Sequence, residues 1–396
     1  MTGKTPRRAR RATIQLSGAP ETHRALVARI PISQQGNENA CARVAPTILS
    51  QKAPPKPSAV FDTYWKFAAE RQAVYHRRIS GQQAPWTSDP ILSSFKFTNA
   101  YRAADRVSQF LIRHVIYAGQ FDVIDTVFRT LLFKLFNKTQ TWHLLERMVG
   151  PIDTKRFDVD LYDRVLAAAM QGGASIYSAA YIMPSGPLSI RRTRKHRMHL
   201  ELLATLMRDG TIARLANSNS MTDAYQILVA LPGLGPFLAY QLATDLNYSE
   251  HHSFSEMEFV MPGPGAKDGL RKCFLSLGDY SEADTIRWVT DRQETEFHNR
   301  GVKFQSLWGR PLQLIDCQNL FCEVDKYARV AHPEIAGLSG RTRIKQRFAA
   351  HPSLPQPWFP PKWGINQQLG QTSREPIAEP WSFTAVGENL QLGIED

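Results

Sequence analysis

The sequence predicts an all-α, multi-helix globule, on three observations. From Phe61 to about residue 349, apolar residues return at helical spacing with only short Gly, Pro, Asp or Asn breaks. Runs of alternating β-branched residues, the mark of half-buried strands, are missing. Between two of the amphipathic stretches lies Leu231-Pro232-Gly233-Leu234-Gly235, a tight hinge. A hydrophobic content of 43% over 396 residues is enough for a real core, in one large or two ordinary domains.

Helices are expected over 60–79, 97–118, 121–137, 140–148, 159–171, 196–208, 221–230, 236–246, 267–277, 281–299, 312–331 and 340–349. Gly81 and Pro85 follow the first, Gly119 the second, Asn137 the third and Gly150-Pro151 the fourth; Gly172-Gly173 and Asp209-Gly210 follow the next two. Glycine frees φ, proline removes an amide donor, and Asp or Asn competes for backbone bonds. Residues 57–350 would form the helical domain, in two lobes with the hinge near the cleft between them. The tail 351–396 has Pro355, Pro357, Pro360 and Pro361 around Trp358, Phe359 and Trp363, too much proline for a helix. It is expected as an extended strap whose aromatics pack on the body.

Charge is uneven. The chain has 48 Lys+Arg against 36 Asp+Glu, a net +12 that suits a polyanionic partner. Residues 1–56 hold ten Lys or Arg against two Glu, or +8, so the other 340 residues carry only +4. Residues 1–56, with Arg7-Arg8-Ala9-Arg10-Arg11, are expected to be a disordered basic arm. An organelle leader, a mis-called start and a nonspecific DNA-binding arm all fit that composition. No stretch approaches the ~18 apolar residues of a membrane span. Cys41, Cys273, Cys317 and Cys322 are too few and irregular for a disulfide framework, so a reducing, cytoplasmic compartment is expected.

Residues 222–246 read as a helix-hairpin-helix, a device that grips a nucleic-acid backbone. Pro232 ends the first helix, and Gly233 and Gly235 permit a tight turn in which the main chain can approach a ligand closely. The amides before Phe237 then face outward at the positive end of the next helix, where a phosphate can bind. The same spacing also serves as an ordinary turn between helices.

Three polar clusters stand out. In 96–109, helical spacing places Asn99, Arg102 and Arg106 on one face beside Asp105, a row suited to a phosphate group or a base edge, or else a solvated helix face. In 259–272, two Pro-Gly pairs, with Gly263 and Gly265, precede a helix bearing Lys267, Asp268, Arg271 and Lys272. That arrangement reads as a phosphate or pyrophosphate cradle, or as a rigid turn with surface cations. It lacks the Gly-Lys-Ser/Thr ending of a nucleotide-binding loop. In 316–329, Asn319, Glu323, Lys326 and Tyr327 fall within two helical turns; Glu323 and Lys326 could share a pocket or form a structural ion pair. His196-x-x-His199 is the only histidine spacing suggestive of a metal, and no metal is expected from it.

Together these segments carry a resemblance. The hairpin and the helices after it look like the helix-hairpin-helix DNA-glycosylase superfamily. The 61–71 run Phe-Asp-Thr-Tyr-Trp-Lys-Phe-Ala-Ala-Glu-Arg, the 96–109 run, the 262–273 segment and the 319–333 segment resemble, in that order, the 5-hydroxymethyluracil DNA kinase helical-domain family. That family is grouped with the alpha-glutamyl/putrescinyl thymine pyrophosphorylases. The resemblance implies a glycosylase-like fold and phage-type DNA hypermodification, in which a hydroxymethyluracil is pyrophosphorylated and an amine displaces the pyrophosphate. True glycosylases usually carry a catalytic Asp in a Val-Asp-Thr-His-like segment, where this chain has Met261-Pro262-Gly263.

The expected function is therefore transfer on a flipped DNA base. Gly233, Gly235 and Phe237 would hold the DNA backbone. Arg102, Arg106, Gly263, Gly265, Lys267, Arg271 and Lys272 would stabilise the departing pyrophosphate. Glu323 or Asp268 would deprotonate the amine, with Lys326 beside it, and Asn99, Asn319 and Tyr327 would line the base pocket. No cofactor is evident, and a divalent cation is left open. Expected partners are DNA, an amine co-substrate, and a base kinase and hydroxymethylase of the same pathway, with no membrane. A glycosylase for a modified pyrimidine would instead rely on Asp268, and a noncatalytic reader would only bind.

Overall fold

The computed structural model describes residues 52–178, 194–350 and 356–369. All but the last few residues of the expected basic arm, and the tail from 370, lie outside the described residues. The described residues from 52 onward group as one unit, with a continuous buried cluster running from Val60 to Ile365. The fold is helical, with one two-stranded antiparallel ribbon, β1 (Lys56–Pro57) against β2 (Phe274–Ser276).

Helix α1 (Ala59–Ile79) is the axis of the core. Ser58 caps it by accepting from the Val60 amide, Asp62 lies in its first turn and His76, Arg77 and Arg78 in its last, all favourable to the helix dipole. Phe61, Tyr64, Trp65 and Ala68 are buried on it. Against it pack α11 (Pro264–Cys273) and α14 (Leu314–Ala331); α12 (Glu282–Asp291) packs on α14 and brings Trp288 against Phe61 of α1. Helices α11 and α14 make the closest pairing in the molecule, because Gly265 and Gly269 let the backbones touch.

The remaining helices are α2 (Pro90–Ser94), α3 (Arg106–Phe110), α4 (Val123–Phe136), α5 (Thr139–Val149), α6 (Val159–Gln171), α7 (Lys195–Arg208), α8 (Thr211–Ala216), α9 (Met221–Val229), α10 (Pro236–Leu246) and α13 (Gln293–Asn299). Four expectations need correction. Residues 97–118 are not one helix: Asn99 donates its amide to Asp105 Oδ1 and its side chain to the Ala104 carbonyl, and these bonds replace the helical ladder. Only Arg102–Ala104 forms a 3₁₀ turn before α3, which runs into a π-turn, Leu111–Ile116. The 267–277 helix starts earlier, with Gly263 as cap and Pro264 in its first turn, and gives way to β2. The 281–299 helix breaks at Arg292. Residues 340–349 are irregular, held where Lys96 and Phe348 donate to Gln346 and Ser94 carbonyls. The tail behaves as expected where described: Trp358 packs edge-on to Tyr117, and Phe359 is fully buried beside Trp308 and Trp363.

A buried ion cluster ties the 3₁₀ turn to α4 and α10. Asp245 Oδ1 lies 2.7 Å from Arg102 Nη1 and Oδ2 lies 3.1 Å from Lys134 Nζ, while Arg102 also donates to Gln241 and Tyr248. Burial pushes the Asp245 carboxyl up, and the two cations outweigh it and hold it below its usual range. Removing the carboxylate by Asp245→Ala leaves two buried cations unpaired, so unfolding in urea should show a loss of about 3–5 kcal/mol. Among the described residues no helix is long and apolar enough to cross a membrane.

Candidate functional site

The C-terminal half of α1, the 84–87 loop, α2 and the strand-like residues Phe95 and Phe97 enclose a cavity of about 260 Å³, closed on one side by Phe348. Its mouth is aromatic and cationic. The Arg78 guanidinium lies 4.9 Å from the Trp86 ring and 5.6 Å from the Phe348 ring, which meet each other edge-on at 6.3 Å. Arg77 fixes the loop by donating to the Trp86 carbonyl at 2.6 Å while paired with Glu70 at 3.0 Å.

Arg71 lines the inner wall. Its Nε donates to the Thr98 carbonyl at 2.9 Å and its Nη2 to Asn99 Oδ1 at 2.6 Å, but its buried Nη1 has no acceptor. Burial lowers this arginine to about 10, against the pull of Asp105 and Glu323. A buried guanidinium nitrogen without a partner is costly unless a ligand supplies the acceptor.

Beside Arg71 the loop 97–105 meets α14. Glu323 accepts the Thr98 amide at 3.0 Å and pairs with Lys326 at 2.7 Å, and the Lys326 ammonium stands 4.6 Å over the Phe97 ring. Asp105 accepts the Asn99 amide, and its carboxyl is pushed up to about 7, first by burial and also by the Glu323 charge, against the Asn99 amide and Arg71. Asn319 sits one turn before Glu323, is 8% exposed, and its side chain forms no hydrogen bond among the described residues. The arrangement can stack a planar ring, offer it a charged donor, and hold a carboxylate and an ammonium nearby.

The raised pKa of Asp105 has a sign that can be checked. Between the unfolded value near 4 and about 7, the native carboxyl keeps a proton that the unfolded chain releases. Stability therefore falls as pH rises through this window. Asp105→Asn, which keeps the acceptor for Asn99, should lose less stability than the parent between pH 5 and pH 8 in urea titrations.

The structure brings Asn99, Glu323 and Lys326 together from two distant segments. Other expected residues are engaged elsewhere. Arg102 is not on a ligand-facing row but is sealed against Asp245. Lys272 is 2% exposed and paired with Asp325 at 2.9 Å, out of reach of a pyrophosphate. Tyr327 donates to Asp89, the cap of α2, at 2.7 Å, so it supports the loop rather than facing a base. Asp268 accepts the Ser339 amide at 3.0 Å and is 2% exposed; burial raises its carboxyl, but its hydrogen bonds to Ser339 and Leu338 outweigh this and hold it low. Gly263 and Gly265 are contact points, for the Phe237 ring and for Cys322, rather than a cradle. Lys267 pairs with Glu282 at 2.9 Å, and Arg271 is exposed on α11. Arg106 is exposed, and its charge reaches Arg78.

The hinge joins α9 and α10 as a compact turn. Leu231 donates to Leu228 and Leu234 to Leu231, and Gly233 has φ +83°, which favours glycine. A Cβ on Gly235 would meet nothing within 4 Å, so the N-terminal end of α10 is open in front of it. Phe237 docks that end on the start of α11. His196 and His199 take separate partners, Asp163 and Tyr177, and among the described residues no group of three ligands could hold a metal.

Arg71 and Trp86 were absent from the residues selected in the sequence. An arginine in a helix reads as solvated until its burial is seen, although its place one turn after Phe67 and Ala68 on an otherwise apolar run was a signal.

Residues 58–337 match the family described as 5-hmdU DNA kinase, helical domain. A curated relative, the 5-hmdU DNA kinase of Bacillus phage SP10, is 25% identical over 298 residues, covering 70% of this chain and 46% of that protein. The chain thus spans about half the length of that relative. No solved structure matches. The matched region contains α1, the 97–105 loop and all of α14, every element of the aromatic cleft except Phe348 and its neighbours, and the chain belongs to the 5-hmdU DNA kinase helical-domain family.

Proposed function

We propose that this chain binds DNA and holds a flipped, hydroxymethyluracil-derived base in the aromatic cleft, where an amine displaces pyrophosphate from its substituent. The observation that carries the reading is Arg71 Nη1, buried in an aromatic-lined cavity without an acceptor. A base carbonyl or a departing phosphate oxygen would supply it. Trp86, Phe97 and Phe348 would stack the base, which has to leave the duplex for its substituent to be reached.

Glu323 would take the proton of the incoming amine, with Lys326 paired to it at 2.7 Å. Arg78 would stabilise charge on the departing group. Gly233, Gly235 and the start of α10 at Phe237 would contact the DNA backbone, with Lys267 and Arg271 of α11 adding cations on that side. Asn99 and Asn319 would read the base edge. The relative's name supports the DNA and 5-hmdU part of this reading. In this reading the pyrophosphorylated base is supplied by a base kinase, fed by a hydroxymethylase.

Nucleoside mass spectrometry tests it. The protein would be incubated with duplexes carrying thymine, hydroxymethyluracil or its pyrophosphorylated form and a pool of amino acids and polyamines. The expected result is a mass gain on the pyrophosphorylated base alone. Abasic sites in place of that product would make the chain a glycosylase and end the proposal.

A further inference from the structure

A second cavity, of about 590 Å³, opens between the π-turn Leu111–Ile116 and the first turn of α5. The geometry points to a phosphate-binding site in it, separate from the aromatic cleft and independent of the reading given to that cleft. Arg106, Arg113 and Lys138 line it together with His114 and His143, and no Asp or Glu does. The cations are not neutralised from behind: Arg113 donates to the Gln356 carbonyl, Lys138 to the Ser175 carbonyl, and Arg106 makes no ion pair among the described residues.

Backbone geometry adds to the charge. Helix α5 has Lys138 at its cap position, with no side-chain acceptor and no acidic residue in its first turn, so its positive end opens beside Gln140 into the cavity. Just before it, Asn137 is left-handed at φ 49° and ψ 37°, a conformation that turns successive amides towards one concavity. Asn137 is 4% exposed; Lys134 occupies its Oδ1, and its side-chain nitrogen has no hydrogen-bond partner among the described residues. The His114 imidazole is held below its usual range by burial and then by Arg113 and His143, against the pull of Glu146, which pairs with His143 at 3.4 Å behind the cavity wall.

Donors thus converge from two elements on one volume, which suits a tetrahedral anion with many acceptors better than a planar carboxylate. The apolar wall is Phe110, whose ring lies 4.9 Å from His114 and 5.0 Å from His143. A phosphate group can reach the cavity on the DNA backbone or as free pyrophosphate, and the two sources are separable.

The test uses the full chain, with inorganic pyrophosphate followed by calorimetry and a short labelled duplex followed by anisotropy over a range of salt. Gln140→Glu puts a carboxylate at the rim, at an exposed position in the first helical turn where acid favours the helix, so folding is preserved. Arg113→Gln removes one cation. Both variants should bind at least tenfold more weakly. Loss confined to the duplex, with a shallower salt dependence, identifies a backbone phosphate; loss confined to pyrophosphate identifies the free anion. Unchanged affinity for both probes in both variants, at an unchanged melting temperature, would overturn the site. Trp86→Ala, which alters only the cleft, should leave pyrophosphate binding here intact.

Discussion

Gly269→Ala should strongly destabilise the fold. A Cβ there would lie 2.0 Å from the Phe321 carbonyl oxygen and 2.6 Å from its carbon. These are backbone atoms of α14, so no rotamer change relieves the clash and the two helices have to separate. Over-packing a core costs about 1–3 kcal/mol and sometimes more. Here the expected loss is at or above the top of that range, a large part of the about 5–15 kcal/mol that holds a typical domain together. Thermal denaturation followed by circular dichroism should show a strongly lowered or uncooperative transition. Gly235→Ala is the matching control, because its Cβ meets nothing and φ is −78°. It should melt like the parent, and a parent-like melt for Gly269→Ala would refute the close α11–α14 pairing.

The largest functional effect is expected from Arg71→Met and Glu323→Gln. Methionine fills the stem of Arg71 but removes a charged donor buried in the cleft wall, and with it the bonds to Thr98 and Asn99. A preorganised donor of this kind is worth about 10²–10³ in rate, and the mass-labelled product should fall by that factor. Glutamine at 323 still accepts the Thr98 amide but cannot take a proton, and loss of a general base costs about 10²–10⁴. Duplex affinity should change far less in both, because backbone contacts are assigned to the hinge and its neighbours. Full turnover in Glu323→Gln at parental stability would remove Glu323 from the chemistry.

Much of the helical framework is legible in the sequence because its signals are local. Helix α1 begins and ends within a residue of its expected bounds, and α10 runs over the expected 236–246, each marked by its own cap or Gly-Pro start. The loop 97–105 was not legible as a loop. Its apolar spacing is helical, and what unwinds it is a set of side-chain bonds, Asn99 to Ala104 and Asp105 to Asn99, that outcompete the backbone ladder. The site shows the same division. Asn99, Glu323 and Lys326, which the structure places beside the cleft, stood out in the sequence because short spacing joins polar residues to aromatic ones. Arg102 and Lys272 were misread because their neutralising carboxylates, Asp245 and Asp325, come from distant helices. Phe348 was hidden in a stretch whose pattern imitates a helix, and Pro-Gly-Pro-Gly looked like an anion cradle although its glycines serve contacts with Phe237 and Cys322.

The central claim is that the aromatic cleft receives an extruded base. The most direct measurement is the fluorescence of 2-aminopurine placed next to a hydroxymethyluracil in a duplex, recorded as protein is added. The account predicts a rise in emission with the parent protein that is lost in Trp86→Ala, while anisotropy shows the duplex still bound by both. No rise with the parent, or an equal rise with Trp86→Ala, would contradict it.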